Sequence, residues 1–129
     1  MSDKSLHDEI HETLVIEEPE ADALLAAVEG CVQITDGNHS VLLTDEIHNR
    51  EPAHRVMTYL LGRYCAARLS DGDVSAETDR ADLIERLGHN VVGDALAHAW
   101  IDHWGSRVRL RPRSYDAVAR ELARRYNDD

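Results

Sequence analysis

Apolar residues recur every three or four positions in five stretches of the chain, and polar and apolar residues alternate along SRVRLRP. A period near 3.6 residues predicts a helix, and a period of two predicts a strand. We therefore expect helices at 19–30, 49–69, 77–88, 91–105 and 114–126. The expected strands are 31–35, 40–44 and 106–112. The pattern predicts a mainly α-helical α+β fold with small β-hairpins.

The segment 49–69, NREPAHRVMTYLLGRYCAARL, carries the strongest helical pattern. Asn49 suits the capping position, and Pro52 suits the first turn, where its missing N–H leaves no hydrogen bond unmade. The apolar positions that recur on one side are Val56, Tyr59, Leu60, Tyr64 and Ala67. We expect this helix at the centre of the core.

A length of 129 residues is that of one domain, which we place at residues 19–129. The acidic segment 1–18 precedes it, and its weak helical spacing predicts only partial order. Between the first two strands, DGNH is typical of a tight hairpin turn. The small polar residues SDGDVS at 70–75 predict a loop.

A helix-turn-helix arrangement is predicted for residues 77–112. The first helix, 77–88, ends at Gly88, and the second helix is expected at 91–105. One side of that second helix consists of Val92, Leu96, Ala99 and His103. The alternating segment SRVRLRP follows, so the predicted order is helix, turn, helix and strand.

The charge composition is unusual. The formal net charge is −11, from 25 Asp and Glu against 14 Lys and Arg, and Lys4 is the only lysine. An acid-rich surface remains soluble in concentrated salt because the salt screens its self-repulsion. This composition indicates a halophilic host; an acidic protein from a GC-rich genome, in which arginine replaces lysine, is the alternative.

The longest apolar run, VMTYLLG, is far shorter than the roughly 20 residues that a membrane-spanning helix needs. The N-terminus lacks the apolar core of a secretory signal. Cys31 and Cys65 are too few and too far apart to suggest a disulfide framework, so we expect buried thiols in a reducing compartment. These features predict a cytoplasmic protein that has no membrane partner.

The order long helix, short helix, turn, helix and arginine strand over 51–111, with the stretches YLLGRYCAA and NVVGDAL, resembles archaeal winged helix-turn-helix proteins. The resemblance is strongest to haloarchaeal members, and it covers roughly residues 20–126. It implies a winged helix-turn-helix fold in which residues 81–87 form the second helix. It also implies a buried side of the recognition helix at Val92, Ala95 and Leu96. The turn after Gly88 is about two residues shorter than is usual in this family.

The resemblance implies a DNA-binding transcriptional regulator. Arginine suits phosphate because its planar guanidinium donates several hydrogen bonds at once. The expected phosphate contacts are Arg107, Arg109, Arg111 and Arg113. The outward face of the recognition helix is expected near the DNA groove and consists of Val91, Asp94, Ala97, His98 and Ile101. This face lacks Arg, Lys, Asn and Gln, which discriminate bases best, so we expect a homodimer that reads two half-sites.

Two alternatives remain open. The arginines can pair with the chain's own carboxylates, as Arg120 can with Asp116 four residues earlier. Alternatively, Ala97 and Ile101 can contact another protein, in which case the chain is a protein–protein interaction module on a winged helix scaffold that has lost DNA binding.

Other chemistry has less support in the sequence. His7 and His11 are four apart, but the metalloprotease motif requires Glu directly after the first His. No GxSxG motif or glycine-rich phosphate loop is present, so we expect no enzymatic activity, cofactor or metal. Trp100 and Trp104 are expected to pack in the core rather than to stack on a ligand.

Overall fold

The fold is built around one long helix, α2, which spans Pro52–Leu69. A computed structural model describes residues 18–126 together with Leu6, so the expectations for most of segment 1–18, and for the pair His7 and His11, lie outside the described residues. Helix α2 contacts strands of both small sheets and the other α-helices among residues 18–126. Its fully buried side chains include Val56, Met57, Tyr59, Leu60 and Leu61. The prediction of a central helix is therefore confirmed.

The start of α2 differs from the prediction. Pro52 is the first helical residue, as expected, but Glu51 precedes it and makes no side-chain capping hydrogen bond. Asn49 instead ends a short 3₁₀ helix, Asp45–Asn49. The proposed Asn49 cap is wrong because the chain turns once more before the proline, which sets the helix start by itself.

Two further helices pack on one another and on α2. Helix α1 spans Ala21–Val28, and Gly30 follows it with a φ of 82°. The last helix, which we call α5 and which spans Tyr115–Tyr126, buries Tyr115, Val118, Ala119 and Leu122. These helices confirm the predictions for 19–30 and 114–126.

The first hairpin joins β1, Val32–Ile34, to β2, Val41–Leu43, with Ile34 opposite Val41. It lies directly on α2 because Gly62 has no side chain. A Cβ at position 62 would stand 2.9 Å from Val32 Cγ1 and 3.1 Å from Val41 Cγ1. The glycine inside this helix thus permits a close approach of helix and hairpin.

The second sheet contains β3, Thr78–Asp79, β4, Ile101–Trp104, and β5, Arg107–Leu110. Its antiparallel order is β3-β5-β4, so the last strand in the chain lies in the middle. Helices α3, Arg80–Leu87, and α4, His89–Leu96, connect β3 to β4. Gly88 alone separates the two helices, with a φ of 96° that favours glycine.

Two predicted boundaries in this region are wrong. Residues 78–79 form a strand rather than the first turn of the helix predicted at 77–88. The helix predicted at 91–105 begins at His89 and ends at Leu96, and its second half forms β4. Pairing with β5 overrides the helical spacing, because Ile101 lies opposite Leu110 and both side chains are buried.

Because residues 101–104 form a strand, His103 and Trp104 do not lie where the helix prediction placed them. His103, expected on the buried side of a helix, lies exposed on β4. Trp104 is 44% exposed, which contradicts its predicted place in the core. Trp100 precedes the strand and is half-buried against the core, as expected. The chain is therefore an α+β fold with two small antiparallel sheets, as the coarse prediction states.

Candidate functional site

The predicted groove-facing surface is not assembled as one face. Asp94 and Ala97 are exposed, and Val91 and His98 are half-buried. Ile101 is only 3% exposed and belongs to β4. The prediction for Ile101 is wrong because it assumed a helix that continues past Leu96. A contact of Ile101 with a partner protein is excluded for the same reason.

The exposed side of α4 starts two residues earlier than predicted. It consists of His89, Asn90, Gly93 and Asp94, with Ala97 at the end of the helix. Sequence reasoning missed His89 and Asn90 because it started the helix at Val91. The signal was available, since Gly88 directly before His89 marks the boundary between the two helices.

Arg107 is the most strongly paired arginine of the second sheet. Its Nη2 lies 3.0 Å from Glu77 Oε1, and its Nη1 lies 2.8 Å from Asp79 Oδ1. Hydrogen bonds to Asp79 and Glu77 raise the pKa of Arg107 above its ordinary value. Position 79 lies directly opposite position 107 in the ladder, so the pairing follows from the strand register.

Asp102 pairs with Arg109 and Arg111. Arg111 Nε donates to Asp102 Oδ1 at 2.7 Å, and Arg109 Nη2 lies 3.8 Å from Asp102 Oδ2. The guanidinium carbon of Arg109 also lies 4.8 Å from the ring centroid of Trp104. This distance is typical of a cation–π contact. Arg109 Nε is buried and has no hydrogen-bond partner among the described residues.

We call this surface the sheet face and define it by Glu77, Asp79, Asp102, Trp104, Arg107, Arg109 and Arg111. Three of these side chains are carboxylates and three are guanidiniums, so its net charge is zero. Arg113 lies outside it, exposed in the 3₁₀ helix Pro112–Ser114. The predicted pair of Arg120 and Asp116 is present at 3.0 Å. Internal pairing therefore holds for Arg107, Arg109, Arg111 and Arg120.

One further carboxylate anchors the end of this sheet to the core. Asp82 accepts hydrogen bonds from Thr78 Oγ1 at 2.8 Å, Tyr59 Oη at 2.9 Å and Arg86 Nε at 3.0 Å. Burial raises the pKa of Asp82, but the three hydrogen bonds and the charge of Arg86 together outweigh it, so the pKa lies below the ordinary value. Asp82 thus remains charged and fixes the start of α3 against α2.

A second surface is apolar and open. We call it the apolar groove; α1, β1 and the last two turns of α2 form it, and its volume is about 460 Å³. The side chains that line it include Leu24, Leu25, Val28, Val32, Tyr64 and Leu69. Leu25 is 63% exposed and Leu69 is 62% exposed. At its rim Glu18 Oε1 and Arg68 Nη1 lie 2.6 Å apart.

Tyr126 joins the end of the last helix to the start of α2. The backbone N–H of Glu51 donates to the Tyr126 hydroxyl at 3.1 Å, and His54 Nδ1 lies 2.6 Å from that oxygen. The guanidinium of Arg50 lies 4.7 Å from the Tyr126 ring centroid. Burial lowers the pKa of His54, which keeps the imidazole neutral near pH 7. This cluster closes the fold, and a cavity of about 230 Å³ lies beside Arg50 and Tyr126.

The remaining chemical candidates are few. Within residues 18–126 no three His, Cys, Asp or Glu side chains are placed to ligate a metal ion. Cys31 is buried, Cys65 is half-buried, and both are free thiols. None of the described helices combines the length and the apolar character that crossing a bilayer requires.

Comparison of the chain with protein-family models, with curated proteins and with solved structures found no match. The functional interpretation therefore depends on the two surfaces, the sheet face and the apolar groove.

Proposed function

We propose that residues 52–110 form a winged helix unit. The supporting observation is the order helix, strand, helix, helix, strand and strand, combined with the sheet order β3-β5-β4. In that arrangement α3 and α4 are the helix-turn-helix pair, and the hairpin of β4 and β5 is the wing. Gly105 and Ser106 make this wing very short.

We further propose that the chain acts as a protein–protein interaction module on this scaffold. The observation that carries the proposal is the apolar groove, in which two leucines on different helices are each more than 60% exposed. Large contiguous apolar patches with a polar rim typically mark interaction sites. The partner surface differs from the one expected from sequence, because Ile101 is buried.

The sheet face argues against DNA as the main ligand. A phosphate that approaches Arg107 also approaches Glu77 and Asp79, and one that approaches Arg111 meets Asp102. Repulsion from these carboxylates opposes the attraction on which non-specific DNA binding depends. The net charge of −11 adds to that repulsion at long range.

A DNA-binding regulator is the second candidate, and Asn90 is the observation that favours it. Asn90 is exposed in the first turn of α4, and asparagine can make two hydrogen bonds to adenine in the major groove. Gly93 and Ala97 on the same side are small enough to permit a close approach. A single reader of this kind needs a second half-site, so this candidate requires a homodimer.

A titration of fluorescent duplex DNA separates the two candidates. We expect no binding by the natural chain from about 0.1 M to about 1 M KCl. The triple variant E77Q, D79N and D102N, which frees the three arginines, is expected to gain weak, salt-sensitive binding. Adding R107E and R109E to that variant should abolish this gain. Salt-dependent binding by the natural chain that N90A weakens would favour the regulator and overturn the interaction module.

A further inference from the structure

We infer that the apolar groove binds an amphipathic helix of a partner protein, and that basic residues flank the apolar side of that helix. The inference rests on the proposed interaction function and specifies its partner. It follows from the shape of the groove and from the charge of its rim.

The groove presents exposed apolar side chains from two helices, and such a surface can accept an inserted helix. Leu25 on α1 and Leu69 at the end of α2 stand on different walls, and Val28 and Val32 line the groove with them. An amphipathic helix can insert apolar side chains at positions i, i+3, i+4 and i+7 into a groove of this kind. The two exposed leucines then become buried against the partner, which supplies the apolar part of the binding free energy.

The rim is acidic. Glu18 lines the groove, Glu20 and Asp22 neighbour the lining residue Ala21, and all three are exposed. At the other end, Asp71 lines a smaller pocket that adjoins the groove through Arg68. Arg68 is the one cation in this set, and Glu18 already pairs with it. The sheet face has no such excess of acid, so the rim favours a basic partner by charge complementarity.

The acidic rim disfavours two other occupants. A second copy of the chain would bring the same acidic rim against itself. Residues 1–17 would bring mainly acid too, because their sequence contains five Asp and Glu and one lysine. Like charges across an interface oppose association. A partner that supplies arginine or lysine beside its apolar side meets no such repulsion.

Two synthetic peptides test the inference on the full-length chain. Both are helical and carry leucines at i, i+3, i+4 and i+7; arginines flank these leucines in one peptide and glutamates in the other. Fluorescence anisotropy at about 0.15 M KCl, where charges more than roughly 8 Å apart are screened but contacts at the rim are not, measures their affinities. We expect the arginine peptide to bind at least about tenfold more tightly than the glutamate peptide.

Substitutions at the groove locate the binding site. L25D and L69D are each expected to abolish binding of the arginine peptide, although both add negative charge and would strengthen a purely electrostatic attraction. L42D is the matched control, because Leu42 is 46% exposed and lies outside the groove. It should leave the affinity unchanged. Circular dichroism of each variant verifies that the chain remains folded.

Several results would overturn the inference. Equal affinity for both peptides, no affinity for either, or full binding by both L25D and L69D would each exclude a basic helix at this groove. Self-association that L25D abolishes would identify a second copy as the occupant. Failure of the broader proposal looks different: no peptide affinity without DNA binding contradicts only the basic helix, whereas no peptide affinity together with N90A-sensitive DNA binding contradicts the interaction module as well.

Discussion

The sheet face and the apolar groove differ in whether their side chains find partners within the chain. The charged side chains of the sheet face pair with one another, whereas the leucines of the groove remain exposed. On the sheet face three carboxylates neutralise three guanidiniums, and Arg109 also stacks on Trp104. In the groove, Leu25 and Leu69 remain more than 60% exposed, although Val28, which also lines the groove, belongs to the core. The comparison shows that a conspicuous run of arginines need not be a binding site. Unsatisfied apolar surface is the stronger indication of a partner in this chain.

The free energies of an exposed ion pair and of a buried leucine support this conclusion. An exposed ion pair contributes about 0–1 kcal/mol, and salt weakens it further. Full burial of one leucine side chain contributes about 1.5–3 kcal/mol and is not screened by salt. A surface that functions in concentrated salt therefore gains more from its leucines than from its arginines.

The largest expected effect is the difference in unfolding free energy between a substitution on the buried side of the second sheet and one on its exposed side. Leu110 is fully buried beneath the sheet face, so L110A should lower the free energy of unfolding by about 2–5 kcal/mol. The control R111A, on the same segment but pointing outward, should lower it by at most about 1 kcal/mol. Urea denaturation measures both. Similar losses for the two variants would mean that the charged network holds this sheet, which contradicts the comparison.

A smaller effect is expected beneath the groove. A valine at position 62 would push against Val32, which lines the groove, so G62V should lower the free energy of unfolding by about 1–3 kcal/mol. The double variant G62V and V32A should recover part of the loss, because the second change removes the methyl groups that clash. An equal or larger loss in the double variant would show that contact with Val32 does not limit how closely the hairpin approaches α2. Urea denaturation at one salt concentration compares all three proteins.

The next effect concerns the pH dependence of stability that the buried imidazole of His54 produces. The pKa of His54 lies below its ordinary value of 6.5, so the unfolded chain binds more protons than the folded one as pH falls below 6.5. Stability is therefore full above pH 6.5 and decreases as the pH falls through the folded-state pKa. H54N should lose this pH dependence while its amide still reaches Tyr126. Urea midpoints at about pH 7.5 and about pH 5.5 measure the change.

Other charged groups face His54, and they are present in both the natural chain and H54N. Glu51 and Glu121 favour its protonated form, whereas Arg125 and His98 oppose it. Asp82 also has a lowered pKa, but its contribution is lost only below about pH 3.8, well outside this window. If H54N and the natural chain lose stability equally between the two pH values, another group is responsible.

The sequence predicted the parts of this fold that depend on strong local periodicity. The helix of residues 52–69 and the hairpin after Gly30 were expected because their apolar spacing and turn residues agree. Strand β4 was missed because IDHW also fits a helix that continues from α4, and only its pairing with β5 decides between them. The partners of Arg107 were missed because Glu77 and Asp79 are distant in sequence and become neighbours only through the sheet register.

The apolar groove was not predicted at all. Leu25 and Leu69 occupy positions that are indistinguishable from core positions in the sequence, and their exposure depends on whether the rest of the fold covers α1 and the end of α2. Apolar periodicity indicates which side of a helix avoids water, but not whether the chain itself covers that side. A partner can provide the cover that the chain does not.

The smallest expected effect is the coupling between Arg107 and Glu77, and it tests the sheet face directly. A double-mutant cycle of R107M, E77Q and their combination should give a coupling of about 0.2–1 kcal/mol at about 0.1 M KCl, because both side chains are about one-third exposed. At about 1 M KCl the coupling should fall towards zero as salt screens the pair. R107M combined with D102N is the matched control, since Asp102 pairs with other arginines and should show no coupling. A coupling that persists undiminished at high salt would mean that the network is shielded from solvent, and the sheet face would then rank with the core as a source of stability.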